Sequence, residues 1–147
     1  LTVYAQHLAW LHAHPKRPER GNKKGEHQKT QSRMESLGES HPLLKMPKAD
    51  RVVIDAWSDM GLVDYGGMGK IPLKWSEILA YSTQSKANLT AWESKQVQRI
   101  SRVYCSFYQE AENPKCRTPH KLANVKQTIQ MIRNSVNEQM DKFDSMF

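Results

Sequence analysis

The residues best equipped for chemistry are six histidines, two cysteines and fifteen carboxylates. The densest imidazole cluster is His7, His12 and His14. On a helix His7 and His14 share a face and His12 points elsewhere, and no Cys or carboxylate completes a set. A zinc site needs four ligands, or three and a water. The three histidines are therefore read as helix-surface residues, and no metal or cofactor is expected. Cys116 and His120 lie close in "PKCRTPH", but a Cys–His nucleophilic pair needs a third orienting group and a pocket. Cys105, inside an apolar run, reads as a small buried hydrophobe. Asp55 and Asp59 are an i,i+4 pair on a solvated face. Glu110 and Glu112 sit unfavourably at a helix C-terminus, with Lys115 or Arg117 as expected partners. "DYGGMGKIP" lacks the GxxxxGK[ST] phosphate loop, because Ile71 follows Lys70 where a hydroxyl is needed. A turn is expected there. None of these groups forms a catalytic constellation, and a non-enzyme is expected.

The elements that would carry these residues are helical. Leu1, Tyr4, Leu8 and Leu11 recur at steps of three and four and predict a short amphipathic helix stopped by Pro15. Three turns need a surface to cover. "PKRPERGNKKGEHQKTQSR" holds seven Lys/Arg, two Glu, two prolines and two glycines, and predicts a flexible basic linker. Order returns at "HPLLKMPKADRVVIDAWSDMG", where Pro47 suits a first helical turn, Val53, Ile54, Trp57 and Met60 share a face, and Gly61 is a C-terminal stop.

Pro72 opens the next helix, with Trp75, Ile78, Leu79 and Ser82 as its stripe. A polar turn follows, and Thr90 with Glu93 has capping-box spacing. Glu93 is thus a cap rather than an acid catalyst, whereas Glu77 has no evident role. Val97, Ile100, Tyr104, Phe107 and Ala111 continue the stripe until Asn113-Pro114. From Leu122, an almost heptad pattern through Val125, Ile129, Ile132, Val136 and Phe143 predicts a long C-terminal helix that could pair chains. No strand is evident. The expected fold is all-α: a small helical bundle around a helix-turn-helix hairpin. Its segments are a helix over 1–14, a basic linker over 15–45, a helical core over 46–112, and a loop with the C-terminal helix over 113–147.

The chain has 147 residues, a net charge of +7 and a 38% hydrophobic content. The charge favours anionic partners and says nothing of fold. No apolar run approaches the roughly 20 residues of a membrane span, and no signal peptide is evident at the start. Two cysteines are too few for a disulfide framework. The first residue is Leu, as expected for a processed, truncated or extended product.

About 60 of the 147 residues, from Ile54 to Ala111, resemble the tail assembly chaperones of long-tailed bacteriophages, small proteins encoded just ahead of the tape measure gene. The residues that carry the likeness are Trp75, Glu77, Ile78, Ala80 and Tyr81, then Leu89, Thr90, Trp92 and Glu93, then Ile100 and Tyr104. Ala56-Trp57 and Gly61 also fit. The basic N-terminal third has no counterpart. The resemblance implies binding to the tape measure protein or other tail proteins, in the host bacterial cytoplasm or the virion. In some phages of this kind a related product arises by programmed frameshifting. Partner-binding candidates are Trp57, Trp75, Ile78, Tyr81, Trp92, Ile100 and Tyr104, compatible with helix-in-groove recognition.

Two other readings follow from the residues. One is a DNA-binding phage or regulatory protein like a small terminase subunit, using Lys16, Arg17, Arg20, Lys23 and Lys24 of the arm with Lys95, Arg99 and Arg102 of the helix. The other is a structural component of a phage tail or capsid, joined through the C-terminal helix as a homo-oligomer. If Trp75 and Trp92 are core residues, replacing either with Ala should cost roughly 3–5 kcal/mol.

Overall fold

The computed structural model describes residues 1–16 and 30–120, with the isolated positions 129, 133, 134 and 140. The described part is mostly helical, with five α-helices and a two-stranded hairpin. In order these are α1 (Thr2–His12), α2 (Arg33–Leu37), α3 (Arg51–Asp59), β1 (Asp64–Gly66), β2 (Gly69–Ile71), α4 (Trp75–Gln84) and α5 (Ala91–Ala111). A single 3-10 turn, Pro42–Leu44, separates α2 from α3. The expected C-terminal helix over 122–143, and with it the chain-pairing face, lies outside the described residues apart from those isolated positions.

The long helix α5 organises the rest. Its stripe falls as the spacing predicts: Val97, Ile100, Tyr104 and Ala111 are buried, and Phe107 is half-buried. The most extensive packing is α5 against α1, followed by α3, with α4 a smaller neighbour. The bundle is therefore centred on α1 and α5, where the spacing predicts a hairpin of α4 and α5. Most of α1's circumference is covered. Of the predicted stripe Leu11 is buried and Leu1, Tyr4 and Leu8 are half-buried, and Ala5, His7, Ala9 and Trp10 are buried beyond it. Three turns persist because tertiary burial replaces the helix's own marginal stability.

In α3, Val53, Ile54 and Trp57 point inward as the periodicity requires. Its cap is Asp50, whose Oδ1 accepts from the Val53 N–H at 3.1 Å. Pro47 therefore precedes the helix rather than opening it. The C-terminus is a Schellman motif: Leu62 N–H donates to Trp57 O (3.1 Å) and Gly61 N–H to Ser58 O (3.0 Å). Gly61 takes φ 84°, as the stop signal implies, and Leu62 follows at φ 71°. A leucine there is strained, and Leu62 is held by two donors on its carbonyl, Trp57 Nε1 and Ser101 Oγ, each at 2.7 Å.

Two expectations change. The glycine-rich turn is an antiparallel hairpin, with Asp64 opposite Ile71, Tyr65 opposite Lys70 and Gly66 opposite Gly69. Its strands are only three residues long and carry glycines, too short for alternation to register. Within 15–45, the part from Ser32 onward is built into the fold. Ser32 and Glu35 form a capping box on α2, and Leu43 joins Trp10, Leu11, Ala13 and Ala111 in a second apolar cluster. The anchor is Arg33, which is buried. Its guanidinium donates to Trp10 O (3.2 Å), Ala111 O (2.6 Å) and Asn113 O (2.9 Å), and stacks 4.8 Å over the Trp10 ring. Two of those carbonyls lie at the C-terminal ends of α1 and α5, where a cation complements the helix dipole.

Candidate functional site

The segment from Leu73 to Glu93 is placed by its polar atoms. The Ser101 hydroxyl, buried on α5, accepts from Leu73 N–H at 2.9 Å, which sets the start of α4 beside the middle of α5. At the far end Ser82 Oγ accepts from Leu89 N–H at 2.9 Å and closes the turn. Helix α4 therefore runs antiparallel to the first half of α5. Trp75 and Trp92 sit at opposite ends of the pair.

Both conspicuous carboxylates are consumed in caps. Thr90 Oγ1 accepts from Glu93 N–H (3.2 Å) while Glu93 Oε2 accepts from Thr90 N–H (2.6 Å), as the spacing predicts. Glu77 does half of the same job: its Oε2 accepts from Lys74 N–H at 2.7 Å, and lysine at the cap position has no acceptor to return. The Lys74 ammonium instead meets Asp64 Oδ2 at 2.9 Å. Hydrogen bonding from Lys74 holds the Asp64 carboxyl below its ordinary range.

The partner-binding candidates separate into two groups. Trp57, Ile78, Ile100 and Tyr104 are buried. The Trp57 and Tyr104 rings meet edge to face at 5.7 Å. Tyr81 is half-buried and donates to Asp59 Oδ2 at 2.9 Å, tying α4 to α3. That bond, first among its causes, raises the Tyr81 phenol above its usual pKa. Trp75 and Trp92 keep 52% and 54% of their surface exposed. Leu79, one turn beyond Trp75 on the same face of α4, is 68% exposed. The predicted stripe of α4 is thus split: Ile78 enters the core and Trp75 with Leu79 face outward. Exposed apolar side chains occur elsewhere too, as at Tyr65 and Met68 of the β-hairpin, but these three bring two indoles and a leucine to one helical hairpin.

Lys95, Arg99 and Arg102 are exposed, and none belongs to an ion pair among the described residues. Successive steps of four and three residues keep them on the outer side of α5. Lys16, by contrast, pairs with Glu112, and its N–H donates to Glu112 O at 2.8 Å. The predicted partners Lys115 and Arg117 are displaced by a residue from the other end of the chain. Arg17, Arg20, Lys23 and Lys24 lie outside the described residues.

Of the three clustered histidines, His14 is exposed as expected, His12 is half-buried, and His7 is not on the surface. His7 is fully buried, with Nε2 2.8 Å from Leu43 O and Nδ1 2.8 Å from Thr118 Oγ1. A carbonyl can only accept, so Nε2 carries the proton and Nδ1 accepts from the Thr118 hydroxyl. Desolvation pushes the His7 pKa down, partly offset by the Leu43 carbonyl. His120, also buried, meets the His7 ring edge-on at 5.2 Å rather than pairing with Cys116. Cys105 is buried as expected, and burial raises its thiol pKa, as it does for Cys116. Both are poor nucleophiles in that state. Among the described residues no three His, Cys, Asp or Glu side chains are grouped to hold a metal ion, and no helix is long and apolar enough to cross a membrane.

Spacing does not reveal Arg33, His7, Thr118 or Ser101. Only Ser101 leaves a trace, as a lone hydroxyl inside the apolar run of α5. The chain matches no protein-family model, no curated protein and no solved structure.

Proposed function

We propose that this chain is a non-enzymatic tail assembly chaperone of a long-tailed bacteriophage, binding the tape measure protein while the tail is built. The observation that carries the reading is the exposure of Trp75, Leu79 and Trp92 on the α4–α5 hairpin. Trp75 and Trp92 are also residues on which the resemblance rests. A helix laid along the hairpin would cover both indoles and supply the burial they lack, the chemistry of amphipathic-helix recognition. Tryptophan is the residue type that most often dominates such contacts. The four buried members of the candidate set belong to the core. The work would be done in the host cytoplasm, with retention in the virion open to direct detection in purified particles. Co-expression with the tape measure protein tests the proposal. The chain should keep that protein soluble, and the Trp75→Ala/Trp92→Ala double variant should not. Equal aggregation with and without the chain sinks it.

The exposed row of Lys95, Arg99 and Arg102, in no ion pair among the described residues, favours a second reading, a DNA-binding protein similar to a small terminase subunit. Such binding would weaken steeply between about 50 and 200 mM salt. Absence of any duplex binding at low salt removes it.

A further inference from the structure

A second site, away from the tryptophans, lies where the C-terminal end of α1, the β-hairpin and α5 converge. A cleft of about 350 Å³ opens there, with α2 on its rim. Lys70 of β2 lines it, half-buried. The ammonium lies 4.0 Å from the centre of the Tyr108 ring and 5.8 Å from that of Tyr65. No described ion pair includes it. A cation in that position is held in place without being neutralised.

Two imidazoles stand beside it. His12 Nδ1 is 2.8 Å from the Tyr104 hydroxyl and His14 Nδ1 is 3.2 Å from the Tyr108 hydroxyl. Burial raises the Tyr104 phenol well above its usual pKa, so the phenol keeps its proton. The Tyr104 hydroxyl and His12 Nδ1 are hydrogen-bond partners, which leaves the Nε2 edge of His12 outside that bond. The contact with Tyr108 likewise leaves the Nε2 edge of His14 outside its bond. The one carboxylate lining the cleft, Glu35, is already committed: its Oε2 accepts from Ser32 N–H at 2.8 Å in the α2 capping box.

We propose that this cleft binds an oxyanion group, with the Lys70 ammonium as counter-charge and the imidazoles of His12 and His14 as hydrogen-bond donors. The shared chemistry is that of a sulfate- or phosphate-type group or a carboxylate. Lys70, His14, Tyr104 and Tyr108 are the titratable groups nearest His12, Tyr65 faces Lys70 across the hairpin, and Glu35 lies at the rim. Burial first and the Lys70 charge second depress the His12 pKa. A bound anion opposes both effects, so binding takes up protons and tightens as pH falls.

The test is a titration of the full chain with sodium sulfate at constant ionic strength, followed by amide and imidazole NMR shifts. Sulfate keeps its charge over the range used, so a pH effect belongs to the protein. Saturable shifts centred on Lys70, His12 and His14 are expected, with affinity rising from about pH 7.5 to about pH 6. Lys70→Met should weaken binding by about tenfold or more, and Lys70→Arg, which keeps the charge, should weaken it less. Glu35→Gln retains the capping geometry and should tighten binding by removing a like charge. A parallel acetate titration separates the two sources. Lys70-dependent saturation by acetate alone assigns a carboxylate, and by sulfate alone a phosphate-type group. Linear shifts with both anions, or equal affinity in Lys70→Met and the wild type, overturn the proposal.

Discussion

Trp57 and Trp75 both belong to short helices that pack on α5, yet Trp57 is fully buried and Trp75 keeps 52% of its surface in water. Their surroundings explain the difference. Trp57 closes α3 beneath a Schellman turn, with its indole N–H bonded to Leu62 O and Tyr104 against its face. Trp75 opens α4, a helix that contributes a single fully buried side chain, Ile78. The α1–α3–α5 region is sealed by covering each helix from more than one side. The α4–α5 hairpin buries one side and leaves Trp75, Leu79 and Trp92 exposed among polar and basic residues on the other. In a chain of mean hydropathy −0.74, the two indoles are half-bare because α4 covers and is covered on one side only.

That contrast can be broken most forcefully at Trp57. Trp57→Ala should lower stability by roughly 3–5 kcal/mol, read from urea unfolding. A cost near that of a surface substitution would mean the core is not centred where the burial places it. Next is Arg33→Met, expected to cost about 2–3 kcal/mol, because charged hydrogen bonds to three carbonyls are lost together. Lysine should not rescue it, since a point ammonium cannot serve three acceptors set in a fork. If Arg33→Met were neutral, the 30–45 region would not be clamped to the helix ends.

Trp75→Ala and Trp92→Ala should cost only about 1–2 kcal/mol each, since about half of each side chain is already in water. This revises the 3–5 kcal/mol expected of core tryptophans. A measured loss as large as that of Trp57 would erase the distinction between the two regions, whereas a small loss with abolished partner binding sharpens it.

The gentlest perturbation is pH. The folded-state pKa of His7 is depressed by burial, so the unfolded chain binds the proton more readily. Stability should be full above the unfolded histidine value, near 6.5, and should fall as pH drops below it. His7→Gln should flatten that dependence in thermal melts. An unchanged slope would show that His7 is not the group responsible, with His12, also depressed by burial, the next to test.

Features within one or two turns of chain were legible. Thr90 and Glu93 are three residues apart and form the predicted box, because both partners of a cap lie on the same turn. Val97, Ile100 and Tyr104 are buried as their period demands, because a long helix on a core must present one face. The same rule misled at α4. Trp75, Ile78, Leu79 and Ser82 have the right period, but periodicity reports that a face is apolar, not that something covers it. His7 and His12 were misplaced for a related reason. A histidine on a short helix looks solvated until Leu43, Thr118 and Tyr104 arrive from distant segments to satisfy its nitrogens.

By itself the sequence determined the helices α1, α3, α4 and α5, the caps of α3's C-terminus and α5's N-terminus, and the apolar face of α5, all set by contacts within a few residues. Tertiary structure alone decided that Arg33 is buried, that Lys16 rather than Lys115 or Arg117 meets Glu112, and that Lys70 stands beside two histidines in a cleft. It also decided that Trp57 is covered and that Trp75 and Trp92 are half-bare. Those outcomes depend on which helix lies against which, and spacing along one chain carries no measure of that distance.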